Sequence, residues 1–196
     1  QQVPAEGVNG RRMMEIGNNK LIRISSAGKA QVLTVATNGT VTVGTELNIT
    51  VSMGEHSGTN ILAACWDATA EKMVIGMGAP NGFSYRMEIH TFTVSGTTIS
   101  YEDELVLVSN FASSNLQYQI CQLAYDATIG KTLLVRSTQS GSGSNSYNQK
   151  VSYLTFSAGT VAEGNNITHS MQQNTNSSKC MVSSGKGQYM LVTRPA

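Results

Sequence analysis

A short strand-forming segment returns along this chain at intervals of nearly sixty residues. Lys20-Leu21-Ile22 reappears as Lys72-Met73-Val74, as Lys131-Thr132-Leu133 and, degraded, as Gln188-Tyr189-Met190, at spacings of 52, 59 and 57 residues. A period of this size in a strand-rich chain implies sheet units that pack on one another, because one unit alone cannot bury its apolar face. The repeat runs about three and a half times within a single repeat domain spanning 1–196, with units at approximately 14–50, 51–108, 109–168 and a partial unit at 169–196.

Within the best-preserved unit, Ile61 to Trp66 reads as a strand, Asp67 to Glu71 as a turn and Lys72 to Met77 as the partner strand. Tyr85, Met87 and Ile89 alternate with Arg86, Glu88 and His90, the period of two that marks a half-buried strand. A second turn at Ser95-Gly96-Thr97 leads into a fourth strand, Ile99 to Val108. The following unit keeps the order: Trp66-Asp67-Ala68-Thr69 matches Tyr125-Asp126-Ala127-Thr128. Leu33-Thr34-Val35, His90-Thr91-Phe92 and Leu154-Thr155-Phe156 fall in one place of the third strand. Asn38-Gly39-Thr40, Ser95-Gly96-Thr97 and Ala158-Gly159-Thr160 supply glycine where a tight turn requires positive φ.

Helical periodicity is absent, so the predicted class is all-β. The expected architecture is a β-propeller-like array of four-stranded antiparallel blades, with β-sandwich-like repeats as the alternative and a β-solenoid disfavoured by the length of the unit. Three full units and a final hairpin at 179–193 fall short of the four blades that usually close a propeller. Residues 1–13, further chain or a second subunit are expected to complete the last unit, since open strand edges invite association. The start, Gln1-Gln2-Val3-Pro4, is neither an initiator Met nor a signal peptide, which suggests a processed chain or a fragment.

Only 13% of residues are charged, where about 25% is usual, and Ser, Thr, Asn, Gln and Gly replace them. With a net charge of +1 and no basic cluster beyond Arg11-Arg12, nucleic acid and anionic lipid are not expected partners. No stretch approaches the roughly eighteen apolar residues of a helical membrane span. Cys65, Cys121 and Cys180 are odd in number and share no repeat column, so they read as small buried hydrophobes rather than as a disulfide framework or a zinc site.

The cassette of an aromatic-Asp turn (Trp66-Asp67), a Lys-led strand (Lys72-Met73-Val74-Ile75) and Val94-Ser95-Gly96-Thr97-Thr98-Ile99-Ser100 resembles repeats of tail-fibre and other virion structural proteins of marine bacteriophages. The resemblance covers roughly residues 14–193. It implies a non-enzymatic virion or extracellular protein, a tail fibre or surface appendage whose partners are other virion proteins, copies of itself or host-surface glycans.

The repeated carboxylates Asp67 and Asp126 each open a turn, where Asp accepts local backbone N–H bonds, so a structural role is favoured over acid catalysis or calcium binding. Glu102-Asp103-Glu104 reads as an exposed strand start; no calcium-loop pattern accompanies it. His56, His90 and His169 share no column, and His90 reads as a core-edge residue. No carboxylate pair stands in a glycosidase motif and no Gly-x-Ser-x-Gly occurs, so no catalytic residue, metal or cofactor is expected. The asparagines of Asn-x-Ser/Thr, at 38, 48, 166 and 176, matter only in a eukaryotic secretory setting.

In an up-and-down blade, the first-to-second and third-to-fourth turns share one end. These are the tight, repeated ones. The loops at the other end differ between units: Met53 to Asn60, Gly78 to Ser84, Asn110 to Tyr118 and Thr138 to Asn148. Variable loops on a rigid frame are where recognition resides. His56, Asn60, Phe111, Tyr118, Asn145 and Tyr147, which mix hydrogen-bonding amides with aromatic platforms, are the candidate ligand-binding residues. The expected activity is multivalent binding; a lectin-like carbohydrate-binding propeller is the alternative and a glycoside hydrolase the third.

Overall fold

The computed structural model describes residues 12–25, 28–52, 60–81, 84–111, 121–139, 147–170, 179–183 and 189–193. They form an all-β chain with three four-stranded antiparallel sheets. The first contains β1 (Arg12–Gly17), β2 (Lys20–Ile24), β3 (Lys29–Val35) and β4 (Val41–Val43) in that spatial order, with the short β5 (Leu47–Asn48) pairing beside β3. The second contains β6 (Asn60–Asp67), β7 (Lys72–Asn81), β8 (Ser84–Ser95) and β9 (Thr98–Phe111). The third contains β10 (Cys121–Asp126), β11 (Lys131–Gln139), β12 (Tyr147–Ser157) and β13 (Thr160–Ser170), and a hairpin of β14 (Lys179–Ser183) and β15 (Tyr189–Thr193) follows. The one helical turn, α1 (Ile49–Ser52), is capped by Asn48, whose Oδ1 accepts from Thr50 Oγ1 and the Val51 N–H.

Apart from β5, which returns to β3, every sheet is a meander of consecutive strands, and its hairpins come from the turn chemistry. Asp67 Oδ1 accepts the N–H groups of Thr69 (3.0 Å) and Ala70 (2.9 Å), and Asp126 Oδ1 accepts that of Thr128 at 2.7 Å. The four-residue loops that follow end in the left-handed region, at Glu71 (φ 55°) and Gly130 (φ 61°). The third-to-fourth turns of the second and third sheets have two residues, Gly96-Thr97 and Ala158-Gly159, with positive φ at Gly96, Ala158 and Gly159.

Alternation assigns the two faces of each sheet to different neighbours. From the second sheet, Met73, Ile75, Met77, Phe92 and Ile99 pack with Met14, Ile22, Ile24, Ala30 and Val32 of the first. The intervening Ala63, Cys65, Val74, Met87 and Ile89 pack with Leu123, Leu134, Leu154 and Val161 of the third. Each such aliphatic side chain contributes about 2 kcal/mol when fully buried. The second sheet is thereby covered on both faces. First strands neighbour first strands (β1 with β6, β6 with β10, β10 with β14), and the later strands β3, β9 and β13 likewise lie together.

Polar contacts stitch the same seams. Between the first and second sheets, Arg12 donates to the carbonyls of Ile61 and Leu62 at 2.9 Å, where β6 is bulged, and Lys20 Nζ donates to Gly96 O. Gly44 lies so near the Thr97 carbonyl that a Cβ there would stand 2.4 Å from its oxygen. Between the second and third sheets, Thr132 Oγ1 donates to Asp67 Oδ2 (2.7 Å), Thr69 Oγ1 meets Tyr125 OH (2.8 Å) and the Val161 N–H donates to Asp103 (2.8 Å).

Several sequence expectations need correction. The segments 78–81 and 84 are strand: β7 and β8 stay paired out to Asn81 opposite Ser84. Glu102-Asp103-Glu104 is not a strand start but lies well inside β9, where Glu102 pairs with Lys72. His90 does not share a place with Leu33 and Leu154. The pairs Ile22↔Val32, Val74↔Thr91 and Leu133↔Tyr153 put Phe92 in that column, and put His90 with Gln31 and Ser152. The column of His90 is therefore polar in every full unit.

Candidate functional site

That polar column, with the residues beside it, forms the most concentrated chemistry among the described residues. On the face of the second sheet turned to the first, the register sets Met77 against Glu88, Ile75 against His90 and His90 against Glu104. Glu88 and His90 are wholly buried; Glu104 is exposed. His90 Nε2 lies 3.1 Å from Glu88 Oε2, and Arg86 Nε lies 2.7 Å from Glu88 Oε1. One ligand-capable atom from each of Glu88, His90 and Glu104 falls within 4.8 Å of the others. The Tyr101 ring stands at the edge of the group, 6.0 Å from the imidazole centroid.

The third sheet carries a cluster in the corresponding place with the opposite charge balance. Arg136 and Lys150, cross-strand partners, occupy the positions of Met77 and Glu88, and Ser152 occupies that of His90. All three converge on Glu163: Arg136 donates through Nε (3.1 Å) and a terminal nitrogen (2.9 Å), Lys150 through Nζ (3.0 Å) and Ser152 through Oγ (2.7 Å). Burial alone would raise the Glu163 pKa. The bonds from Arg136, Ser152 and Lys150, with the charge of Arg136, outweigh it and hold the carboxyl at about 2. Two cations on one carboxylate make this a satisfied structural group.

Of the six residues singled out from the sequence, His56, Tyr118 and Asn145 lie outside the described residues. Asn60, Phe111 and Tyr147 are placed in strands rather than in loops: Asn60 opens β6 opposite Gly78, Phe111 closes β9 opposite Tyr85, and Tyr147 opens β12 opposite Gln139. All three stand at the ends of their sheets away from the Asp67, Asp126, Gly96 and Ala158-Gly159 turns. Cys65 is buried on the seam, its Sγ 3.8 Å from Thr132 Oγ1.

Sequence reading passed over the Glu88–His90–Glu104 group. The signal available to it was the polar spacing Arg86-x-Glu88-x-His90, which places three ionisable residues on one face of a strand. No protein-family model matches the chain, and no curated protein matches it.

Proposed function

We propose that this chain is a non-enzymatic, propeller-like structural component of a virion appendage, which assembles with copies of itself and presents the end of its sheets opposite the tight turns for multivalent attachment. The observation that carries assembly is the outward face of the first sheet. In the second and third sheets the column positions Met73/Phe92 and Thr132/Leu154 are buried against the preceding sheet. Their counterparts in the first sheet, Leu21 and Leu33, join Val43 in a single cross-strand row, flanked by Val41 and Met13, with Val43, Val41 and Met13 exposed by 55%, 53% and 49%. Elsewhere in the chain, what covers such a row is the far face of another sheet of the same repeat, so a second copy is the matching occupant. The contact joins two different surfaces, which favours rings or extended arrays. Neighbouring first strands agree with blades set around an axis.

Sedimentation of the full chain over a concentration series tests assembly. Reversible association is expected, and Leu33→Glu should yield a monomer of unchanged circular dichroism. A wild-type chain that stays monomeric to high micromolar concentration would sink the assembly reading. Attachment is tested with immobilised, multivalent chain on a glycan array: binding that weakens in Asn145→Ala/Tyr147→Ala is expected, and absence of binding to any glycan counts against glycan attachment.

A further inference from the structure

We propose that Glu88, His90 and Glu104 form a binding site for one divalent transition-metal ion, with zinc the best match. The inference is independent of the assembly proposed above. Three observations carry it.

The first is geometry. Adjacent strands of one sheet bring an imidazole and two carboxylates within 4.8 Å of one another. His90 Nε2 faces Glu88 Oε2 at 3.1 Å, which leaves Nδ1 as the ring nitrogen open to an ion. The second is incomplete satisfaction. His90 is wholly buried, yet its Nδ1 has no hydrogen-bond partner, and Glu104 makes no hydrogen bond or ion pair with any described residue. A buried ring nitrogen without a partner is costly, and two carboxylates held this close repel unless a cation lies between them.

The third is the comparison with the third sheet. In the same place, Arg136 and Lys150 bring two positive charges to the single carboxylate of Glu163. In the second sheet, Met77 and Glu88 stand in place of those cations, and Arg86 pairs with Glu88 beside a second carboxylate and an imidazole. A divalent ion would restore the balance that the third sheet achieves with side chains. Arg86 would then hold the outer oxygen of Glu88 and fix the orientation of that ligand, as groups behind metal-bound carboxylates do.

The ligand set selects among ions. Calcium takes six to eight oxygens and magnesium an octahedron of oxygens, whereas an imidazole with two carboxylates suits zinc and its neighbours. Because Glu104 faces solvent, the ion has an open side where water completes its coordination.

Titration calorimetry of Zn2+ into chelator-treated full chain, with Ca2+ and Mg2+ in parallel, tests the proposal. One Zn2+ per chain is expected, with affinity falling by about tenfold or more in Glu104→Gln and in His90→Gln. Glu104→Gln alters an exposed side chain and removes a like charge from beside Glu88, so its thermal midpoint in chelator should not fall below that of the wild type, and it decides the matter even if His90→Gln fails to fold. The proposal is overturned if the folded wild type binds no Zn2+, if Glu104→Gln binds it as tightly, which would place the ion elsewhere, or if Ca2+ binds equally well.

Discussion

Glu163 shows how a single carboxylate can tie a sheet together and make it acid-sensitive. Its folded pKa, about 2, lies below the ordinary 4.5, so its contribution is present in full above the unfolded value and is lost as pH falls towards the folded one. Urea denaturation between pH 6 and 2 should therefore show stability falling below about pH 4.5. Glu163→Gln should flatten that limb while lowering stability at neutral pH, because Arg136 is then left largely buried without its counter-charge. An unchanged slope in the variant would remove Glu163 from the account. The role of the residue was not legible in the sequence: nothing local announces that Arg136, Lys150 and Ser152, on two other strands, converge on it. The turn role of Asp67 was legible, because its partners are two and three residues away. Its bond to Thr132 was not, since that partner belongs to the next sheet.

For the elements, strand order could be read from the turns, since short Asp- and Gly-containing loops permit only antiparallel neighbours. Strand ends and repeat columns were harder. Pro80 and Gly82 gave 78–84 the appearance of a loop, although β7 and β8 continue through most of it. The misplacement of His90 came from matching Thr91-Phe92 to Thr155-Phe156, whereas the register matches Thr91 to Tyr153. That is a slip of two residues, which leaves every side chain on its proper face, so alternation cannot detect it. Where two elements meet closely the requirement is for absence of a side chain. Gly44 after β4 abuts the carbonyl of Thr97, and Gly44→Ala must push the first sheet off the β8–β9 turn, with an expected loss of about 1–3 kcal/mol. Thermal denaturation of Gly44→Ala beside Gly39→Ala is the check. Gly39 has open space around its Cβ position, so its cost is confined to its backbone conformation at φ 83°. Equal losses would argue that the Gly44 contact carries no constraint.

Across the whole molecule, the seam between the second and third sheets combines an aliphatic cluster with the Asp67–Thr132, Thr69–Tyr125 and Asp103–Val161 bonds. Cys65, buried in that seam, makes its opening measurable. Alkylation of Cys65, followed by peptide mass mapping, should be slow in the native protein and faster in Asp67→Ala, which removes both the turn bonds and the cross-seam bond, at an expected cost of about 3 kcal/mol. Native Cys65 reacting at the rate of a denatured chain would deny the seam any protective strength.

The strand order, sequential in every sheet apart from β5, also bears on how such a chain reaches its fold. All-β proteins are usually slow to fold because their strands pair across long stretches of sequence. Here each strand pairs mainly with its immediate predecessor and successor, so each sheet can form by closing one short loop after another. During synthesis the first sheet can be complete before the third has been made. What remains distant in sequence is the docking of one finished sheet on the next, a step governed by side chains on already formed surfaces. Each newly made sheet then waits with one apolar face bare until its successor arrives, and that interval, rather than strand pairing, is the stage most exposed to misassembly.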